Sequence, residues 1–371
     1  MVRAFKISFV AFLIFAFSKG GIAQEDEILI SEGPQFIISE GPHIILQEGQ
    51  WVAKWVENGE KKSETNVTAD FLNNEFQLGL DPFVFMSNFE NNPNPNQKYK
   101  GVSKITVISD IHGQYDLMVQ LLKSHGVIDE NLNWNYGNGH LVVNGDIMGR
   151  GKMVTEILWL VYKLENQAKR NRGRVHFLIG NHELMTMFND LRYLNNKYQQ
   201  AADIMGITVA EMYGATSVFG NWLRKLPAIV TINDLLFVHA GISKEMVDRK
   251  MKAAKVNRLF FDQISGFKPG NKKQMEDVEF LTSALGPTWY RGYFVDGEVY
   301  EKDMDYILKF FKTKTMIIGH TSQRSVSQLF GGRVYVVDSN IKEGVNGEIL
   351  IIEEGEFLRG NLDGVKFRFP Q

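Results

Sequence analysis

Ile105–Tyr115 reads ITVISDIHGQY, a short run that changes character halfway. Ile105-Thr106-Val107-Ile108 is apolar and β-branched, the composition of a buried strand. Ser109-Asp110-Ile111-His112-Gly113 then breaks it. Asp110 and His112 stand two apart just past the strand end, and alternate residues of an extended chain share a side. A carboxylate oxygen and an imidazole nitrogen so placed suit a divalent metal, and Gly113 lets the backbone turn away. Taken alone the pair says little, because Asp often caps helices and His is often a structural polar residue. The weight comes from four later stretches that answer it.

Each of the four follows an apolar run. Leu141-Val142-Val143 leads into Asn144-Gly145-Asp146-Ile147-Met148-Gly149-Arg150-Gly151, and Val175–Ile179 leads into Gly180-Asn181-His182-Glu183. Leu235–Val238 leads into His239-Ala240-Gly241, and Met316-Ile317-Ile318 into Gly319-His320-Thr321. Helical spacing separates these strands. It is carried by Met118, Leu121 and Leu122 before Gly126, by Val154, Ile157, Leu158 and Val161, and by Met304, Ile307, Leu308 and Phe311. Composition predicts a further helix from Glu183 to about Gln200 and a further strand over Val334–Val337. This is an α/β chain whose motifs follow strands, where such folds place their sites. Four of the eight histidines, His112, His182, His239 and His320, land there, interleaved with Asp110, Asp146 and Asn181. A shared metal site accounts for that clustering better than four separate structural histidines.

The ordered series SDIHG, GDIMGRG, GNHE, HAG and GHT resembles the calcineurin-like metallophosphoesterases. Within them it resembles the phosphoprotein phosphatase group, especially its Shewanella-like bacterial branch, over about Lys104 to Ser339. The resemblance implies a β-sandwich of two mixed sheets flanked by helices, with the site at one edge. It implies that Asp110, His112 and Asp146 hold one metal, and that Asp146, Asn181, His239 and His320 hold the other, with Asp146 bridging. By the same likeness His182 matches the family's general acid and Arg150 a phosphate-binding arginine. Arg291, in Trp289-Tyr290-Arg291-Gly292, stands where a second such arginine is expected. One departure matters: the commoner eukaryotic pattern has Asp where this chain has Gly149, and that Asp buttresses the general acid. Here His182 is oriented by something else, or acts less strongly. The symmetrical dinucleoside tetraphosphatases of the same group also lack an acid at this place.

The residue types support the same chemistry. A phosphate ester is anionic and repels hydroxide. Two cations roughly 3.5–4 Å apart screen that charge and acidify a shared water, which attacks phosphorus without a protein nucleophile. Nitrogen and oxygen ligands without thiolate suit two divalent ions, manganese foremost, with iron or zinc as alternatives. Arg150 and Arg291 offer bidentate donors for phosphoryl oxygens. The expected activity is a metal-dependent phosphatase acting on a phosphorylated protein or a small phosphoester. A nucleotide pyrophosphohydrolase or phosphodiesterase on the same scaffold is the alternative. A non-enzymatic envelope binding protein with a relict site is disfavoured, because every ligand position and the acid are present.

The remainder of the chain frames this centre. Its 371 residues are 44% hydrophobic and 12% aromatic, enough for a full core, and the net charge of −2 gives no case for a nucleic-acid partner. The lack of cysteine excludes disulfides, thiolate metal sites and a cysteine nucleophile. Residues 1–23 read as a signal peptide: Arg3 and Lys6, the short apolar run Ile7–Phe17, and the small-residue exit Gly21-Ile22-Ala23. Cleavage there predicts a periplasmic or secreted chain with no membrane span, starting near Gln24. Residues 24–98 are expected to form a small β-rich region and linker, and residues 99–371 the catalytic domain. ISEGP occurs at Ile30–Pro34 and at Ile38–Pro42, read as short strands joined by Glu-Gly turns, and Asn58-Gly59 as a hairpin turn. The proline-spaced Asn91–Gln97 reads as a linker. An amphipathic segment over Phe219–Leu226 is either an overhang above the site or a plain helical cap. His43, His125, His140 and His176 are taken as structural.

Overall fold

The structure, a computed structural model, describes residues 37–81, 89, 92–295 and 297–369. All of these except Ile37 belong to one unit, Ile38–Gln371. The expected signal segment and the first ISEGP copy lie outside the described residues.

The parallel apolar runs assemble into two six-stranded mixed sheets. One has the order β11-β12-β10-β9-β8-β4. It is built from Ser327–Leu329 (β11), Val334–Val336 (β12), Thr315–Ile318 (β10), Leu235–Val238 (β9), Ile229–Ile232 (β8) and Lys98–Tyr99 (β4). The other has the order β15-β14-β13-β5-β6-β7. Its strands are Lys366–Arg368 (β15), Glu356–Asn361 (β14), Glu348–Glu353 (β13), Lys104–Ile108 (β5), His140–Val143 (β6) and Arg174–Phe177 (β7). β5, β6 and β7 run parallel, as do β9, β10 and β12. Side chains alternate between the two faces of each strand. Ile105, Val107, Val142, Val230, Phe237, Ile317 and Leu350 therefore form one apolar cluster drawn from both sheets. Ile108, Leu141, Val143, Leu236 and Ile318 join the larger cluster with the flanking helices instead. This is the sandwich of two mixed sheets that the sequence resemblance implies.

A third, antiparallel sheet of Glu40–Gln47 (β1), Gln50–Glu57 (β2) and Glu60–Glu64 (β3) precedes the sandwich. Asn58-Gly59 makes the expected hairpin turn, with φ of +50° and +81°. Glu48-Gly49 makes a second turn with φ of +50° and +81°. The Glu40-Gly41 turn does not form. Those residues run inside β1, and a bulge between Glu40 and His43 absorbs the Gly-Pro step while pairing with β2 continues. The sheet rests on the main body: Leu46 N–H donates to Thr216 O at 2.8 Å, and Trp159 Nε1 to Pro42 O at 3.1 Å.

One helical expectation is corrected and a second, left open between two readings, is decided. The single helix from Glu183 to about Gln200 is in fact two, Asn181–Met187 and Asn196–Met205. Asn189 breaks the run at φ +59°, and the Asn195 side chain caps the second helix by accepting from Lys197 N at 3.1 Å. The amphipathic segment forms the helix Val218–Leu223. It caps the fold, since its buried Phe219 packs at 4.6 Å on Trp159 of the helix Val154–Arg170.

Candidate active site

The parallel strands of both sheets end at a common edge, and every motif leaves a strand there. β5 delivers Asp110 and His112, β6 delivers Asp146 and Arg150, and β7 delivers Asn181 and His182. From the second sheet, β9 delivers His239 and β10 delivers His320. Hydrogen bonds stitch the two sets of loops together. Asn144 Nδ2 donates to Val238 O at 3.0 Å, and His320 N–H to Asp110 Oδ2 at 2.9 Å. Asp110, His112, Asp146 and His320 all adopt left-handed backbone, with φ of +52°, +47°, +58° and +65°. Left-handed backbone is costly for residues carrying a Cβ and tends to collect where function demands it.

Asp146 is the hub. Its Oδ2 lies 3.4 Å from His239 Nε2, 3.7 Å from His112 Nε2 and 3.9 Å from His182 Nε2. Burial pushes its carboxyl upward, but His239, His182 and His112 outweigh that and hold it well below the usual range. His112, Asp146 and His182 bring ligand atoms within 4.8 Å of one another, and so do Asp146, His239 and His320. Asn181 joins the second group, its Oδ1 3.1 Å from His239 Nε2. Asp110 is buried beside both groups, and its Oδ2 accepts from Ser109 Oγ at 2.5 Å as well as from His320 N–H. Thus His182, read as the acid, stands in the first cluster, and Asp110 flanks it.

The loop carrying Asp146 is clamped from below. Glu183 accepts four backbone N–H groups: Asp146 and Gly180 on Oε2, Ile147 and Met148 on Oε1. Burial and the nearby Asp146 charge push its carboxyl up to about 7, while the four donors favour the anion. Gly180 has to be glycine, because a Cβ there would come 2.2 Å from Asp146 Oδ1.

The chain is similar to known proteins. The profile of the calcineurin-like phosphoesterases matches residues 103–324. The chain belongs to that family. A solved structure of a cold-active protein-tyrosine phosphatase from a psychrophilic Shewanella species is 35% identical. It covers 89% of this chain and 98% of its own, with a TM-score of 0.77. Shewanella-like protein phosphatase 1 of Plasmodium berghei is 27% identical over 299 residues, 77% of this chain and 78% of that protein. A symmetrical bis(5'-nucleosyl)-tetraphosphatase of Wigglesworthia glossinidia brevipalpis is 29% identical over 138 residues, only 37% of this chain and 44% of that one. The protein is therefore a phosphoesterase of the Shewanella-like phosphatase branch, a hydrolase acting on phosphorylated substrates.

Membership of this metallophosphoesterase family implies a dimetal centre, and the donor set fits one. Nδ1 of His112 lies 2.8 Å from Met148 O, and Nδ1 of His239 lies 2.8 Å from Asn144 O. An N–H at Nδ1 leaves the Nε2 of His112 as a lone pair facing Asp146. His320 Nε2 is buried without a hydrogen-bond partner among the described residues. Burial drives His112 down to about 3 and His320 to about 2, so both are neutral imidazoles, the ligand form. Burial also opposes charge on His239, but Asp146 overrides it and raises that group to about 10. Nitrogen lone pairs converging on a buried anion call for a cation between them.

In this phosphoesterase both arginines are exposed at the rim. Arg291 reaches the site through Thr321, whose Oγ1 accepts from Nη1 at 3.0 Å next to His320. Arg150 lies with its guanidinium 5.1 Å from the Tyr193 ring centre. Sequence reasoning missed several contributors. Asn144 holds His239 through its carbonyl. Asp338, buried after β12, adds negative charge beside Asp110 and Asp146, and Lys342 adds positive charge near His182. Asp338 follows an apolar strand as the other motifs do, which is the signal that marks it. Lys342 carries no such signal. His140 and His176 pair with each other at 2.9 Å, and His125 bonds Asn361 O at 2.9 Å, so these histidines are structural as read.

Proposed function

We propose that this phosphoesterase is an exported, manganese-dependent phosphatase that removes phosphate from proteins, with phosphotyrosine as its preferred ester. The observation that carries it is the buried Asp146 facing three imidazoles at a rim where two arginines wait. We assign Asp110, His112 and Asp146 to one ion, and Asp146, Asn181, His239 and His320 to the other. Bound there, two divalent ions supply an activated water and neutralise phosphate charge. Asp146 would be the ligand the two ions share, and Glu183 fixes Asp146 through the backbone of its loop. Arg150 and Arg291 grip the phosphoryl oxygens and stabilise their charge in the transition state. His182 donates the proton that the leaving oxygen needs as its bond to phosphorus breaks.

The tyrosine preference is supported by the name and 35% identity of the Shewanella phosphatase. Manganese is supported by a donor set of imidazole, carboxylate and amide without thiolate. Export is supported by residues 1–23 alone, and among the described residues no helix is long and apolar enough to cross a membrane. The test is a substrate panel on metal-analysed protein from the native host: phosphotyrosine peptide, phosphoserine peptide and a dinucleoside tetraphosphate. The highest kcat/KM is expected on the phosphotyrosine peptide, with manganese bound and a mature N-terminus near Gln24. Preference for the tetraphosphate would replace this reading with the nucleotide hydrolase one.

A further inference from the structure

Gly149 stands where a carboxylate would otherwise steady His182, so the packing around that imidazole decides what does so here. The Gly149 backbone lies directly under the ring: a Cβ at this residue would sit 2.7 Å from His182 Nδ1 and 3.3 Å from Tyr193 O. His112 meets one side of the His182 ring edge-on, with centroids 4.5 Å apart. A further contact is Tyr193, whose ring centre lies 5.2 Å from that of His182 at an interplanar angle of 43°. The same Tyr193 ring carries the Arg150 guanidinium. Although 45% exposed, Tyr193 is held firmly by its backbone, because its carbonyl accepts the Arg150 N–H at 2.6 Å.

Tyr193 also begins a strap across the active-site loop. Asn195 Nδ2 donates to Arg150 O at 2.8 Å, Lys197 Nζ donates to Lys152 O at 2.8 Å, and Val154 N–H donates to Tyr198 OH at 2.7 Å. Four bonds from residues 193–198 thus fix residues 150–154, and the Tyr193 ring projects from the fixed strap between Arg150 and His182. A flat aromatic face restricts an imidazole by contact area and attracts a guanidinium by its quadrupole.

We infer that Tyr193 is a positioning residue that orients His182 and Arg150 together, in the role a carboxylate at residue 149 fills elsewhere in the family. The inference rests on the proposed reading of His182 as proton donor. The ring, not the hydroxyl, carries the role.

The test measures kcat and KM of metal-loaded Tyr193→Ala, Tyr193→Phe, His182→Asn and the His182→Asn/Tyr193→Ala double variant. The substrates are nitrophenyl phosphate, whose leaving group needs little protonation, and a phosphoserine peptide, whose alkoxide needs much. A general acid contributes ~10²–10⁴-fold, so a loosened one should cost Tyr193→Ala about tenfold more in kcat on the serine ester than on the aryl ester. Tyr193→Phe should match the parent, and the double variant should show no more leaving-group preference than His182→Asn alone. If His182→Asn discriminates between the esters but Tyr193→Ala slows both equally, or raises only KM, the inference fails and the acid assignment stands. If His182→Asn itself does not discriminate, both fall. Thermal melting and metal content check folding, and Tyr193→Leu, which refills the volume without a flat ring, replaces the alanine variant if that one does not fold.

Discussion

The Glu183 carboxylate accepts the backbone N–H of Asp146 at 2.9 Å, so the residue after the proposed acid also holds the loop of the proposed bridging ligand. Glu183→Gln replaces one acceptor oxygen with an N–H₂ group facing backbone donors. Leaving buried donors unsatisfied costs about 1–3 kcal/mol. The variant is expected to melt earlier and to bind metal more weakly. Calorimetry and metal analysis check both, and an unchanged melting temperature would show that the clamp adds nothing.

Asp146→Asn removes the charge that faces His112, His182 and His239. Metal content and rate should fall together, the rate by several orders of magnitude, since the nucleophile depends on both ions. Retention of two metals per chain with near-normal turnover would mean that Asp146 is not the bridge.

Gly149 has φ +83°, and its missing side chain makes room for His182 Nδ1. Gly149→Ala should cost stability by about 1–2 kcal/mol from left-handed strain alone. It should also displace His182, slowing phosphoserine peptides more than nitrophenyl phosphate. Gly149→Asp, which restores the commoner residue, should lower the rate on alkyl esters too, because its Cβ meets the same contact. A faster Gly149→Asp enzyme would contradict the packing described above.

Glu40 is a buried carboxylate in the small sheet, bonded to His43 Nε2 at 2.9 Å, to Lys197 Nζ at 2.6 Å and to the Thr155 hydroxyl. Burial pushes its pKa up, but His43 and Lys197 outweigh this and the net shift is downward. A carboxyl depressed in the folded state adds stability above its unfolded pKa and loses it as pH falls through the folded value. Glu40→Gln removes the buried carboxylate that Lys197 faces, leaving it only Lys152 O at 2.8 Å and Glu156 at 3.9 Å, and should destabilise the protein by up to about 3 kcal/mol at neutral pH. The gap between the two melting curves should be widest above about pH 5 and narrow as the solution is acidified. A gap that grows in acid would reverse the sign assigned to Glu40.

Sequence alone determined the kind of centre and where along the chain its parts lie. Strand periodicity is local, so β5, β6, β7, β9 and β10 were readable from their apolar runs. Asp110, His112, Asp146, Asn181, His239 and His320 were readable from their places just past the ends of those runs. Family resemblance then supplied the sandwich and the roles. Everything set by contact between distant segments needed the tertiary structure. Composition favours helix across Phe188–Asn195, but crossing the Arg150 loop requires a break there, and that break places Tyr193 against His182. Local sequence favours a turn at Glu40-Gly41, and pairing with β2 overrides it. Local sequence marks Glu183 only as a helix residue; its four donors, three of them from another strand's loop, come into range only in the folded chain. Local propensity is worth a fraction of a kcal/mol per residue, and pairing or burial of polar groups outweighs it wherever the two disagree.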